Sequence, residues 1–384
     1  MGWRLPPDPA LPEAKDLLDG DGRALVAGFL LTSGWTPGAV DPVQVLYRPA
    51  RSLTVRFDVK ARRGDGPVEV LMVAVECRTG DPVRVWAFPD DPGLPGLPAA
   101  AVRPTDVLRY RPRRRAVLRC RLPAGGVRYT KVLPPARARR ALRAAQALDP
   151  DSRPGLRLAL PAAGTAPGAV RLAPVGGRSL REHLMAGDPL PSPARLAALF
   201  DDLAAMAGGS GAPALPDSPV RARLETAGEA AGLTGQLLPD LIPQLDKLVE
   251  SVAHGLDWDP GDRRPVHGDL YEAQILVAGD ATLGLLDLDG LGMGDPLLDA
   301  ATFSAHLLVL ALGHPGAASR ILTYRQELRR ALLEQLDAAE PALRWREAYA
   351  MLLLAPAPFR TLRPAWQAKL RKRVEVATEL TRGS

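Results

Sequence analysis

Residues 267–289 constrain this 384-residue chain more than any other stretch. They begin His267-Gly268-Asp269-Leu270-Tyr271-Glu272-Ala273-Gln274, and thirteen residues after Gln274 comes Asp287-Leu288-Asp289. The first block puts an Asp in a turn and an amide oxygen five residues on; a short apolar strand, Leu283 to Leu286, then ends on the acidic pair. One carboxylate can orient an attacking hydroxyl, and two further oxygen ligands can hold Mg²⁺ on nucleotide phosphates. Phosphoryl transfer needs that inventory. Asp269 is therefore the candidate catalytic residue, with Gln274, Asp287 and Asp289 as candidate metal ligands.

Composition narrows the class further. An apolar share of 46% with 24% charged residues is that of an ordinary globular chain, long enough for two or three packed units. The segment Met1–Pro7 has no apolar core of signal-peptide length, and the apolar runs at His306–Leu312 and Ala350–Ala355 are too short to span a bilayer. A cytoplasmic protein, monomer or homodimer, without a membrane partner is expected. Cys77 and Cys120 have neither a disulfide framework nor metal-ligand spacing, and read as small core residues. Only six of the 49 basic residues are lysine, so the net charge of +6 comes from arginine. Clusters such as Arg111–Arg115 and Arg137–Arg143 have the charge to meet phosphates. No aromatic interleaving accompanies them, and no nucleic-acid partner is expected.

The N-terminal part reads as a weak amphipathic helix at Leu17–Thr32 and strands at Val43–Tyr47, Leu53–Val59, Val68–Glu76 and Val83–Phe88, followed by a Pro/Gly/Ala linker over Pro92–Ala100. A second β-rich set echoes the first. Tyr47-Arg48-Pro49-Ala50-Arg51 matches Tyr110-Arg111-Pro112-Arg113-Arg114, 63 residues on, which suggests a duplicated hairpin. Strands at Val107–Tyr110, Ala116–Leu122 and Val127–Leu133 lead to a helix at Ala136–Leu148 and strands near Leu156–Leu160 and Val170–Ala173. Helices are expected at Ala194–Ala207 (opened by Ser192-Pro193), Val220–Ala231, Leu237–Gly255, Leu297–Leu312, Arg320–Ala338, Leu343–Leu354 and Ala365–Leu380.

The H-G-D-x-x-x-x-Q block and the following D-x-D resemble the catalytic loop and metal segment of the aminoglycoside phosphotransferase and small-molecule kinase superfamily, relatives of the protein kinases. Gln274 stands where most of that superfamily has Asn; maltokinases and related glucosamine kinases also carry Gln there, and also an N-terminal cap. The resemblance implies an α+β fold, bilobal and protein-kinase-like: a cap over 1–100, a β-rich nucleotide-binding N-lobe and hinge over 101–177, and a mostly helical C-lobe over 178–384. It implies ATP or GTP and Mg²⁺, with a small-molecule hydroxyl acceptor such as an aminoglycoside-like or nucleoside antibiotic, a sugar or an amino sugar. Lys131, on the third strand of the second set, takes the position of the lysine that meets nucleotide phosphates. His267 and Asp299 are expected to brace the loop, and Tyr271 and Glu272 either face the acceptor or serve as packing or surface residues. Asp257, Asp259 and Asp262 stand close enough in sequence to add an acidic lining for a cationic acceptor, or to form a solvated loop.

Two departures from the pattern bear on function. The helix after Lys131 holds no Glu or Asp to pair with that lysine, leaving Gln146 or a more distant acid as partner. The turn Arg111–Arg115 is arginine-rich where a glycine-rich loop is expected; Arg113 and Arg115 either grip phosphates as guanidinium forks or are simply solvated. Both departures keep a nucleotide-binding pseudokinase open as the alternative.

Overall fold

The computed structural model of the chain describes residues 5–18, 20–97, 106–121, 126–164, 166–207, 213–219, 222–256, 263–279 and 282–382. A cap comes first: helices α1 (Ala14–Leu17) and α2 (Gly20–Thr32), then a meander of β1 (Thr36–Arg48), β2 (Ser52–Arg62), β3 (Val68–Arg78) and β4 (Asp81–Ala87), each strand antiparallel to its sequence neighbour. Period-two alternation sends Val55, Phe57 and Val59 to one face. There they join a core that continues into C-terminal helices through residues such as Leu245 and Leu352. Met72 and Phe88 pack instead against the next sheet. The cap is thus held between the two lobes and shares its core with the helical one.

The second sheet contains β5 (Val107–Arg111), β6 (Arg115–Arg121) and β7 (Val127–Val132), followed by α3 (Pro135–Gln146). Next come β8 (Leu156–Leu158), β9 (Pro161–Ala163) and β10 (Ala169–Leu172). Its order is β5-β6-β7-β10-β9. The expected sequence of three strands, a helix and two strands holds, with one correction. Strand β8 leaves this sheet and pairs in parallel with Leu283–Leu285, so β9 takes its place.

The two matching hairpins have one conformation. Ala50 and Arg113, equivalent in the repeat, both sit at φ +58°, and Arg51 N and Arg114 N each donate to the carbonyl three residues back at 3.0 Å. The strand register is also the same: Arg48 faces Ser52, and Arg111 faces Arg115. An Asp-Pro-x-Leu segment, not recognised in the sequence reading, pins each turn. Asp8 accepts from Tyr47 Oη and Ala50 N at 2.8 Å each, and Asp91 accepts from Tyr110 Oη and Arg113 N at the same distances. The expected linker at Pro92–Ala100 is therefore not slack where it is described, since Leu94 and Leu97 are buried under the second hairpin. Tyr110 Oη also accepts from Trp86 Nε1 at 3.0 Å. Tyr110→Phe, which takes one donor from a buried carboxylate and leaves an indole N–H unpaired, should lower stability by about 2–3 kcal/mol in denaturant melts.

The C-terminal part opens with β11 (Arg178–Ser179) and α4 (Leu180–Ala186), whose Ser179 and Glu182 form a capping box. It continues with α5 (Pro193–Ala197), α6 (Leu199–Met206), α7 (Leu224–Leu237) and α8 (Ile242–Gly255). A β-island follows: β12 (Arg264–Val266), β13 (Ile275–Val277), β14 (Leu283–Leu285) and β15 (Gly292–Gly294). Then come α9 (Pro296–Gly313), α10 (Ala318–Leu336), α11 (Glu340–Leu354), α12 (Ala357–Arg360) and α13 (Trp366–Arg382). The helix expected over Leu237–Gly255 starts only at Ile242, because Pro239 interrupts it, and α7 instead runs on to Leu237. The single helix expected over Ala194–Ala207 breaks at Ala198. Helix α9 is apolar over a length that could cross a membrane; packed against α10 and α11, it has that character as a core helix.

Candidate active site

The island supplies a turn and a strand end, and α9 locks them together. Gly268 has φ +81°, and a Cβ there would lie 2.6 Å from the Gly290 carbonyl oxygen. The turn thus needs glycine twice over, for conformation and for close approach. Asp299, buried on the first turns of α9, accepts from His267 N at 2.6 Å and Gly268 N at 2.9 Å. Burial raises the proton affinity of its carboxyl, and these backbone donors offset part of that effect. His267 accepts from Asp269 N at Nδ1 (3.2 Å), and its Nε2 lies 2.7 Å from the Leu286 carbonyl. That pattern fixes the tautomer with the proton on Nε2. Both residues brace the loop, as expected. Gly268→Ala should cost at least about 2 kcal/mol in a melt and depress turnover with it, since strain and overlap act on the same turn.

Asp269 emerges from this frame into a cavity of about 290 Å³, water-accessible at its carboxyl but enclosed by protein on most sides. Burial pushes its carboxyl up to about 6, with Asp287 adding to the rise and Arg115 opposing it. Asp287 and Asp289 line the same cavity. Asp287 has αL backbone angles (φ 59°, ψ 48°), which turn the chain abruptly after β14. Its carboxylate is bound by Lys131 Nζ, by Arg115 at 2.6 Å and by Gln274 Nε2 at 3.1 Å. Burial disfavours the charged form of Asp287. The lysine and arginine outweigh that and hold it below the usual carboxylate range. Lys131, 2% exposed, also reaches Asp289 Oδ1 at 2.7 Å, so both carboxylates converge on one cation.

This pairing answers the missing helix acid: Lys131 takes its partners from the metal segment. Helix α3 contributes Arg140, which donates to the carbonyls of Asp289 (2.9 Å), Leu291 (2.9 Å) and Asp217 (2.6 Å) and staples the segment after Asp287 to the N-lobe. The sequence marked Arg140 only as one of a basic cluster.

Two expected site residues are elsewhere. Arg113 points away from the cavity, into the cap: it pairs with buried Glu76 at 2.5 Å and its guanidinium lies over Trp86. The αL turn held by Asp91 sends it there. Glu272 is fully buried and bound by Arg181 through Nε (2.8 Å) and Nη2 (2.7 Å), so it is a structural ion pair and no acceptor lining. Asp257, Asp259 and Asp262 lie outside the described residues. Tyr271 backs the cavity wall by stacking on His306 (centroids 4.4 Å apart, planes at 19°). His306 lines the cavity together with Thr302, and burial drives its pKa down to about 3, so its ring is neutral. Sequence reasoning missed His306, although it stands seven residues after Asp299 on the same helix face.

Among the described residues no three His, Cys, Asp or Glu side chains cluster as a self-sufficient metal cage. Two carboxylates that share Lys131, with the Gln274 amide beside Asp287, are instead the donor types of a hard cation that keeps water and phosphate oxygens for its other positions. The donor set fits Mg²⁺.

The family model of the phosphotransferase enzyme family (APH) matches residues 105–349. The chain belongs to this family. It is a small-molecule kinase, with the mixed N-terminal and helical C-terminal halves of that fold. Among solved structures, the chain is similar to aminoglycoside phosphotransferase APH(3'')-Id from Streptomyces rimosus, with 19% identity over 62% of this chain and 88% of that one, TM-score 0.42. A thermostable mutant of aminoglycoside phosphotransferase APH(4)-Ia aligns at 14% identity over 72% and 94%, TM-score 0.49. A Plasmodium vivax ethanolamine kinase aligns at 8% over 68% and 78%, TM-score 0.44. No curated protein matches the chain in sequence.

Proposed function

We propose that this kinase moves the γ-phosphate of ATP (or GTP) to a hydroxyl of a small polyol, the class that includes aminoglycoside-like and nucleoside antibiotics, sugars and amino sugars. The supporting observation is that one cavity is lined by Asp269 and by Asp287 and Asp289, the last two joined through Lys131. Asp269 receives the acceptor hydroxyl as a hydrogen-bond donor and aims its oxygen in line. That oxygen bonds to the γ-phosphorus as the bridging P–O bond breaks, the nucleoside diphosphate leaves, and the proton passes late to Asp269. Lys131 and Arg115 turn from Asp287 to the phosphate oxygens. Asp287, Asp289 and Gln274 would hold Mg²⁺, for which the Gln274 amide, whose nitrogen meets Asp287, would have to offer its oxygen. The ion, when bound, neutralises charge on the phosphates. A sugar or amino-sugar kinase is the second reading, favoured by the four-stranded cap.

Phosphate incorporation into a panel of aminoglycosides, nucleoside antibiotics, simple sugars and sugar phosphates tests the proposal; ATP-dependent transfer to none of them, with nucleotide bound, leaves a pseudokinase. The pH dependence is specific. A carboxyl raised to about 6 is an acceptor only above that value, so kcat/KM should fall tenfold per unit below about pH 6. Unfolding is not the cause there. The Asp287 pairs add stability above the ordinary Asp range and lose it only as pH falls through a still lower value. A profile flat to pH 5 contradicts the role of Asp269.

A further inference from the structure

The arginine turn divides two adjoining cavities. Beyond the Asp269 cleft lies a second, of about 140 Å³, between cap strands β1 and β2, the turn and α12. Arg111 and Arg114 line both cavities. The second adds Arg56 and Arg360 with the hydroxyls of Thr54 and Thr361, and no carboxylate lines it. Arg56 has one acid near, Asp58 at 3.5 Å, and donates to the Tyr110 carbonyl at 2.9 Å. Among the described residues Arg111, Arg114 and Arg360 make no ion pair or side-chain hydrogen bond, and the buried Nε of Arg111 has no partner.

Four guanidinia around so small a space repel one another, and Arg111, Arg114 and Arg360 lose hydration without gaining a partner among the described residues. Burial and the neighbouring arginines bring Arg111 down to about 10. Planar forks of this kind suit a phosphate or carboxylate, and they repel a polyamine. The nucleotide phosphates have their own cations in Lys131 and Arg115, on the Asp287 side. Arg56 and Arg360 stand on the cap and on α12, at the opposite side of the turn.

We propose that the acceptor carries its own anionic group, a phosphate or carboxylate, seated among Arg56, Arg111, Arg114 and Arg360 while its hydroxyl faces Asp269. The proposal depends on the phosphotransfer assignment above and makes the acceptor an acidic polyol.

The test has a binding arm and a turnover arm. With AMP-PNP and Mg²⁺ saturating the full chain, inorganic phosphate and glycerol 3-phosphate are titrated calorimetrically. Binding should persist, and Arg360→Gln should weaken it about tenfold, with Arg360→Lys intermediate, each variant first shown to be folded by its melt. In turnover, glycerol 3-phosphate and glucose 6-phosphate should surpass glycerol, glucose and kanamycin in kcat/KM by tenfold or more, and Arg360→Gln should erase that preference through KM. Displacement of phosphate by AMP-PNP assigns the arginines to the nucleotide and overturns the proposal. So does preferred transfer to neutral or cationic acceptors, or phosphate that accelerates such transfer without itself being modified, as a free effector would. Phosphate binding in a protein that transfers to nothing would instead overturn the phosphotransfer assignment and leave the anion site standing.

Discussion

Asp269→Asn should lower kcat about 10³-fold while leaving Mg-nucleotide affinity within about twofold. The amide keeps the size of the side chain, and the loop that carries it is held by His267 and Asp299. What disappears is the negatively charged acceptor facing the hydroxyl. The acid limb near pH 6 should vanish from the residual rate, because the raised carboxyl is gone and Asp287 is held below the usual carboxylate range. Steady-state rates over pH 5–9, with nucleotide affinity measured separately, check both parts. A loss under tenfold, or a limb that survives, assigns the proton to another group.

Asp287→Ala should act on both stability and activity. The carboxylate now compensates Lys131, which is almost wholly buried, and Arg115. Removing it leaves Lys131 with Asp289 alone and Arg115 with no acid, at a cost of roughly 3 kcal/mol in a melt of the nucleotide-free protein. In turnover, loss of the carboxylate proposed as principal metal ligand should depress kcat/KM by about 10³-fold or more, equivalent to some 4 kcal/mol of transition-state stabilisation. Lys131→Met tests the converse: in the double variant it removes a buried cation that has lost one of its two carboxylates, and it should recover part of the stability but none of the activity.

The grouping of the candidate site residues was legible because it is local. The turn at Asp269, the amide of Gln274 and the strand end at Asp287 fall within one short island, where residue spacing alone dictates who meets whom. Lys131 was readable as a rare lysine on a strand of known position. Partners distant in sequence were not legible. Glu272 finds Arg181 ninety-one residues away, and β8 pairs with β14 across the whole helical entry to the C-lobe. Arg113 illustrates the same limit at short range: its direction is set by an αL turn that Asp91 closes from twenty-two residues upstream. The repeated Tyr-Arg-Pro hairpin was visible, but the Asp that pins each copy lies at a different spacing in the two halves and so escaped the gap-free match.

The central claim is that Asp287, Asp289 and Gln274 form one divalent-cation site completed by nucleotide phosphates. Manganese uptake followed by electron spin resonance, with and without AMP-PNP, tests it most directly. The wild-type chain should take up Mn²⁺ tightly only with nucleotide, in competition with Mg²⁺, and Asp287→Ala should lose that uptake. Equal uptake by wild type and variant, or uptake indifferent to nucleotide, would contradict the site.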